Sequence, residues 1–117
     1  MSEQTVDPRE SLLGLAQGDP TKLSFLQGVI EASFKESGLD PKTFMLVRMA
    51  ALATLDAAPA SWLMNIEASG EAGLDPETIL GTLIAIAPVI GTARIVSAAA
   101  NIMKAFELAE ELAEDGE

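Results

Sequence analysis

The side chains that most often carry chemistry are missing from this chain, whose 117 residues include no His, no Cys and no Tyr. Thiol redox steps, disulfides, thiolate metal sites and imidazole bases are therefore excluded. A short set of candidates remains. Ser61 and Asn65 are one helical turn apart, near the start of a helix expected to begin at Pro59. Free N–H groups and partial positive charge at a helix start suit a carboxylate or another small anion. Capping and space filling account for the same two residues without any ligand. Arg94 is the one cation between Met49 and Met103, and Arg48 interrupts another apolar helix in the same way. A buried guanidinium needs a planar acceptor. Asp56, Glu67 and Glu71 are candidate partners within the chain, and an ion pair, within or between subunits, is the commoner solution than a ligand clamp. Trp62 is either a pocket wall or, as is usual for a lone Trp on an amphipathic helix, part of the core.

Bulk composition narrows the partners. Asp and Glu number 18 against 7 Lys and Arg, a net charge of −11, which disfavours a phosphate backbone or an anionic membrane surface. The acids form neither an EF-hand loop nor a spaced metal cluster, and no cofactor is expected. The acid-rich stretch from Glu107 to Glu117 reads as a solvated helix end, with an electrostatic tail for a basic partner as the lesser alternative. Met45, Met49, Met64 and Met103 read as gap fillers. The segment from Met1 to Asp7 lacks the basic and apolar parts of a signal peptide, so a cytoplasmic location is expected. The apolar run from Ile79 to Ile102 is interrupted by Pro88, Gly91 and Arg94 and reads as two buried helices broken at Pro88-Val89-Ile90-Gly91.

The elements that position these residues are announced by a repeated block, Glu36-Ser37-Gly38-Leu39-Asp40-Pro41-Lys42-Thr43 and Glu71-Ala72-Gly73-Leu74-Asp75-Pro76-Glu77-Thr78. Gly closes one helix in the left-handed region, Asp caps the next, and Pro fits its first position. Asp7-Pro8 and Asp19-Pro20 carry the same start signal. The expected helices run from Pro8 to Gln17, Pro20 to Ser37, Pro41 onward, Pro59 to Gly73, Pro76 to about Pro88, and Gly91 to about Ala113. Leu23, Leu26, Ile30 and Phe34 form the apolar stripe of the second, and Phe44, Val47, Ala51 and Leu55 that of the third. No segment alternates as a strand would. At an offset of 35, apolar positions recur beyond the block, as in Phe44/Ile79, Met45/Leu80 and Met49/Ile84. These features predict one all-α domain over residues 1–117, a bundle of about six helices containing a duplicated helical hairpin. The helix from Pro76 is apolar almost all round, and a chain this small has little material to wrap it, so an obligate homo-oligomer is expected.

From about Leu39 to Ala105 the chain resembles the carboxymuconolactone decarboxylase and AhpD-like alkylhydroperoxidase family. The carrying residues are Leu39-Asp40-Pro41-Lys42-Thr43, the stretch Glu71 to Ile79, and Gly91-Thr92-Ala93-Arg94, which sits like the family's Gly-x-Pro-Arg. The resemblance implies an all-helical subunit in trimers or hexamers. It also implies, for the peroxidase branch, a Cys-x-x-Cys, a His one turn later and an upstream Glu. Counted back from Gly73, these fall on Ala58, Ser61 and Asn65, and the Glu on Met45 or Leu46. Every relay position is changed. A serine hydroxyl forms no disulfide and loses its proton far less readily than a thiol. The decarboxylase branch is expected to use acid–base residues including His, which this chain lacks.

The resulting expectation is a thiol-free, non-redox family member, acting as an oligomeric small-ligand-binding or structural protein, with a small anion as the candidate ligand. The alternative is a cofactor-free enzyme on a small acidic or lactone-like substrate. In that reading Arg94 holds the anion, Ser61 and Asn65 orient it, and Asp56 or Glu67 moves the proton.

Overall fold

In a computed structural model, residues 7–115 are described, and they form seven α-helical segments with no strand among them. The segments are α1 (Pro8–Ala16), α2 (Pro20–Leu23), α3 (Gln27–Ser37), α4 (Pro41–Thr54), α5 (Pro59–Glu71), α6 (Pro76–Ile90) and α7 (Thr92–Asp115). The readings made for Met1 to Val6, Gly116 and Glu117 lie outside the described residues. All four Asp-Pro pairs start helices: Asp7, Asp19, Asp40 and Asp75 each accept a backbone N–H, and Pro follows in the first turn. The caps before α4 and α6 differ in quality. Asp75 Oδ1 accepts both the N–H and the hydroxyl of Thr78 at 2.8 Å, whereas Asp40 Oδ2 lies 3.5 Å from the Thr43 nitrogen. Both carboxyls are held below the ordinary aspartate value, Asp40 first by the Thr43 side chain and Asp75 first by the Thr78 backbone N–H.

Three local expectations need correction. The helix foreseen from Pro20 to Ser37 is divided by a 3₁₀ turn at Ser24–Leu26, which gives seven segments in place of six. Leu23, Leu26, Ile30 and Phe34 are still its half-buried stripe. Pro88 does not end its helix; α6 runs through it to Ile90 and stops at Gly91, whose φ of +93° closes the turn. In the last turn a proline forfeits a single hydrogen bond, so the helix survives there. On α4 the expected stripe is wrong. Val47, Ala51 and Leu55 face outward, and the buried residues are Phe44, Met45, Met49 and Ala53. This helix is apolar on most sides, so periodicity cannot choose its inner face, and its neighbours α5 and α6 choose it.

The core lies between two helical hairpins. The first is α4–α5 and the second α6–α7, with α4 packed on α6 and α5 on α7. Met49, Ala53, Trp62, Leu63, Ile79, Leu83, Ala98, Ile102 and Ala105 make one buried cluster contributed by all four helices. Ala98 and Ala105 are fully covered on α7, whose small side chains permit its close approach to α5. At the hairpin corners Asp56 (φ +56°) and Gly91 occupy equivalent places at the 35-residue offset, both in the positive-φ region. An aspartate there is strained relative to glycine and needs compensation.

Much apolar surface is left outside. On α6 Leu80 is 57% exposed, Ile84 63% and Val89 84%, and on α7 Val96 and Met103 are likewise open. The all-round apolar α6 is therefore buried on one side only within this chain. The Cα radius of gyration, 15.7 Å, exceeds the roughly 13 Å typical of a compact domain of this length. Among the described residues no helix is long and apolar enough to cross a membrane.

Candidate functional site

The hydrogen-bonded centre of the site is Arg48, on α4, with Asn65, on α5. Arg48 Nε donates to Asn65 Oδ1 at 3.0 Å, and Asn65 Nδ2 donates to the Ser61 carbonyl at 2.9 Å. Two bonds of opposite sense thus fix which way the buried amide points. The guanidinium carbon lies 5.5 Å from the centroid of the Phe44 ring, one turn earlier on α4, a cation–π arrangement. Phe44 in turn meets Phe34 of α3 edge to face, with centroids 5.1 Å apart. Arg48 is half-buried, so its charge sits at the boundary between core and solvent.

These residues belong to a partly open cavity of about 490 Å³ between α3, α4 and α5. Ile30 and Phe34 supply one wall; Phe44, Met45 and Met64 supply much of the rest. Arg48 and Asn65 are joined in the lining by the polar side chains of Gln27, Glu31 and Glu71, all three exposed. The size falls in the usual range for small-molecule sites, about 300–1,000 Å³. Such a cavity can enclose an apolar body and offer it one oriented cation.

The candidates picked out from the sequence divide. Ala58, Ser61 and Asn65 do share one helix end: Ala58 is the N-cap of α5, without a side-chain cap bond, and Ser61 and Asn65 follow in the first two turns. Of the relay positions that the resemblance to the peroxidase branch implies, Asn65 and Met45 line the cavity, whereas Ala58 and Ser61 are exposed and Leu46 is half-buried outside the lining. Trp62 is fully covered in the core and forms no part of the cavity wall. Its Nε1 is the one buried side-chain polar atom without a partner among the described residues.

Arg94 requires correction. It is exposed in the first turn of α7, away from the cavity, so the expected burial is absent. Asp56 and Glu67 are exposed and also lie outside the lining. Asp56 instead accepts a hydrogen bond from the Ser97 hydroxyl, which in turn faces Asn101 Nδ2 at 3.4 Å. That chain ties the α4–α5 corner to α7 and offsets the strained backbone of Asp56. The charge that matters at the cavity is Arg48, which sequence reasoning had placed in the same class as Arg94. The walls from α3, including Glu31, were missed. They lie before the stretch that carried the resemblance, and no short motif links them to Asn65. Among the described residues no group of three acidic side chains is placed to hold a metal ion.

The described chain is thus all-helical and built on two hairpins, with a cavity beside the middle and C-terminal half of α5. The model of the carboxymuconolactone decarboxylase family matches residues 20–110, most of the chain, and the protein belongs to that family. No curated protein and no solved structure matches it.

Proposed function

We propose that this protein is a non-redox member of the carboxymuconolactone decarboxylase family, an oligomeric, cytoplasmic protein that holds a small ligand in the α3–α4–α5 cavity. The observation that carries the reading is the Arg48–Asn65 pair. Both side chains line the cavity, and Asn65 stands where the resemblance to the peroxidase branch implies an imidazole, in a chain with no cysteine or histidine. Peroxide reduction by the family's route needs a thiolate attack and a disulfide, and this chain contributes neither group. A neutral amide fixed by two hydrogen bonds binds and orients; it does not shuttle protons near neutral pH.

Oligomerisation is supported by the exposed face of α6 and α7. Leu80, Ile84, Val96 and Met103 leave an apolar patch that is unusual on a free monomer, and a shallow groove between the two helices is lined entirely by apolar side chains. A second copy of the chain is the proposed cover, in a trimer or hexamer.

Native mass spectrometry of the purified protein tests the reading. The expected result is a symmetric assembly that releases a co-purified small molecule, or takes one up, at one site per subunit. A monomer that neither carries nor takes up any small molecule would overturn it.

A further inference from the structure

We infer that the cavity's ligand is an amphipathic monocarboxylate, an apolar chain or ring ending in one carboxylate, seated head-first on Arg48; this rests on the cavity being a ligand site at all. Three observations converge on that class.

The first concerns unused donors. A guanidinium has five N–H groups. Among the described residues Arg48 donates one side-chain hydrogen bond, from Nε to Asn65 Oδ1. The Nε–H is the one spent, so the two terminal nitrogens keep their fork, the arrangement that grips a carboxylate with two parallel bonds. Asn65 is itself locked by the Ser61 carbonyl and cannot swing away, so the guanidinium plane is held before any ligand arrives. The Phe44 ring at 5.5 Å packs against the same group and limits its rotation.

The second is the lining beyond the head site. Ile30, Phe34, Met45 and Met64 present hydrocarbon, aromatic edge and thioether, while the polar side chains that join them in the lining, Gln27, Glu31 and Glu71, are exposed to water. Methionine suits a ligand of variable chain shape. A compact polar anion such as inorganic phosphate would leave these walls in contact with water and gain nothing from them.

The third is the placing of the acids. Glu31 and Glu71 line the same cavity but are exposed, whereas Arg48 is half-buried. Solvated carboxylates are screened and lose little by facing an anion, while the less hydrated guanidinium gains most from one. If the acids were the anchors instead, the ligand would be an organic cation, and the test separates the two.

Isothermal titration calorimetry of the native oligomer with octanoate, octan-1-ol and octylammonium at equal salt gives the answer, with Arg48→Gln and Arg48→Lys run alongside. Octanoate is expected to bind most tightly, with octan-1-ol and octylammonium weaker. Arg48→Gln should weaken octanoate by about tenfold to a hundredfold and leave octan-1-ol unchanged, as expected for loss of a charge-assisted bidentate contact. Arg48→Lys should recover part of that loss. Circular dichroism confirms that each variant folds; if Arg48→Gln does not, the three-probe ranking on the unmodified protein still decides. Equal binding of octanoate and octan-1-ol would sink the carboxylate assignment and leave the cavity reading standing. Tightest binding of octylammonium would overturn it in favour of Glu31 and Glu71 as anchors. Binding of no probe by the folded oligomer would overturn both readings together.

Discussion

Breaking the hydrogen bond between Arg48 and Asn65 should destabilise the protein by a calculable amount, and by an amount that depends on both partners. Asn65→Ala removes the acceptor of a 3.0 Å bond from Arg48 Nε and leaves that donor facing an alanine. A hydrogen bond to a charged group contributes about 1.5–3 kcal/mol, and because Arg48 is half-buried, water screens and partly replaces it, lowering the expected cost to about 1–2 kcal/mol. The bond from Asn65 Nδ2 to the Ser61 carbonyl adds little, since that carbonyl can keep its helical partner. For a chain of this size the loss corresponds to roughly 4–8 °C in Tm. Arg48→Met should cost a similar amount, because it also forfeits about 0.5–1 kcal/mol of contact with the Phe44 ring. The decisive quantity is the coupling from the double-mutant cycle, read by urea denaturation at one fixed protein concentration so that assembly contributes equally to all four proteins. About 1 kcal/mol of coupling is expected. Costs that simply add, within about 0.3–0.5 kcal/mol, would refute the claim that the two side chains form a unit.

Trp62→Phe should cost about 1 kcal/mol or less, because removing the unpartnered Nε1 donor offsets part of the lost packing, whereas Trp62→Ala should cost about 3–5 kcal/mol in thermal unfolding. On acidification, Asp40 and Asp75 should each withdraw stability, because a carboxyl held low in the folded state stabilises above its unfolded value and loses that contribution as pH falls below the ordinary 3.8. Since the Asp75 cap is the shorter, Asp75→Ala should flatten the acid limb of a Tm-against-pH curve more than Asp40→Ala. The proposed interface predicts that replacing Leu80 and Ile84 together by Glu gives monomers in sedimentation velocity with helix content retained, and an unchanged sedimentation coefficient would remove α6 from that interface.

Helix starts and stops were legible because they depend on neighbouring residues. Asp-Pro supplies a cap and a fixed φ at one stroke, and the glycines at 38 and 73 take the left-handed geometry that a closing turn requires. The inner face of α4 was not legible. Val47 and Met49 are equally apolar, and the choice between them is made by α5 and α6, which come later in the chain and which no local pattern around α4 reports. The same limit hid the cavity. Ser61 and Asn65 were found as a pair because they are one turn apart, and Asn65 does line the cavity while Ser61 contributes its backbone carbonyl. Arg48 and Arg94 looked alike, each a lone cation in an apolar run, yet one is half-buried against an amide and the other projects into solvent. The distinguishing signal was Phe44, one turn before Arg48, an aromatic face for the guanidinium that Arg94 lacks at the corresponding place, where Ile90 stands. Pro88 misled for a different reason: its cost depends on position within the helix, and near the end that cost is small enough for the helix to continue.

In this chain the helical framework stands without the thiols and imidazole that the resemblance to the peroxidase branch implies. Consumption of an alkyl hydroperoxide by the purified protein, supplied with excess dithiol reductant, is the decisive measurement. The predicted rate is that of the reductant alone in buffer, unchanged by protein concentration. A rate that rises in proportion to the protein, and persists through many turnovers, would contradict the non-redox reading.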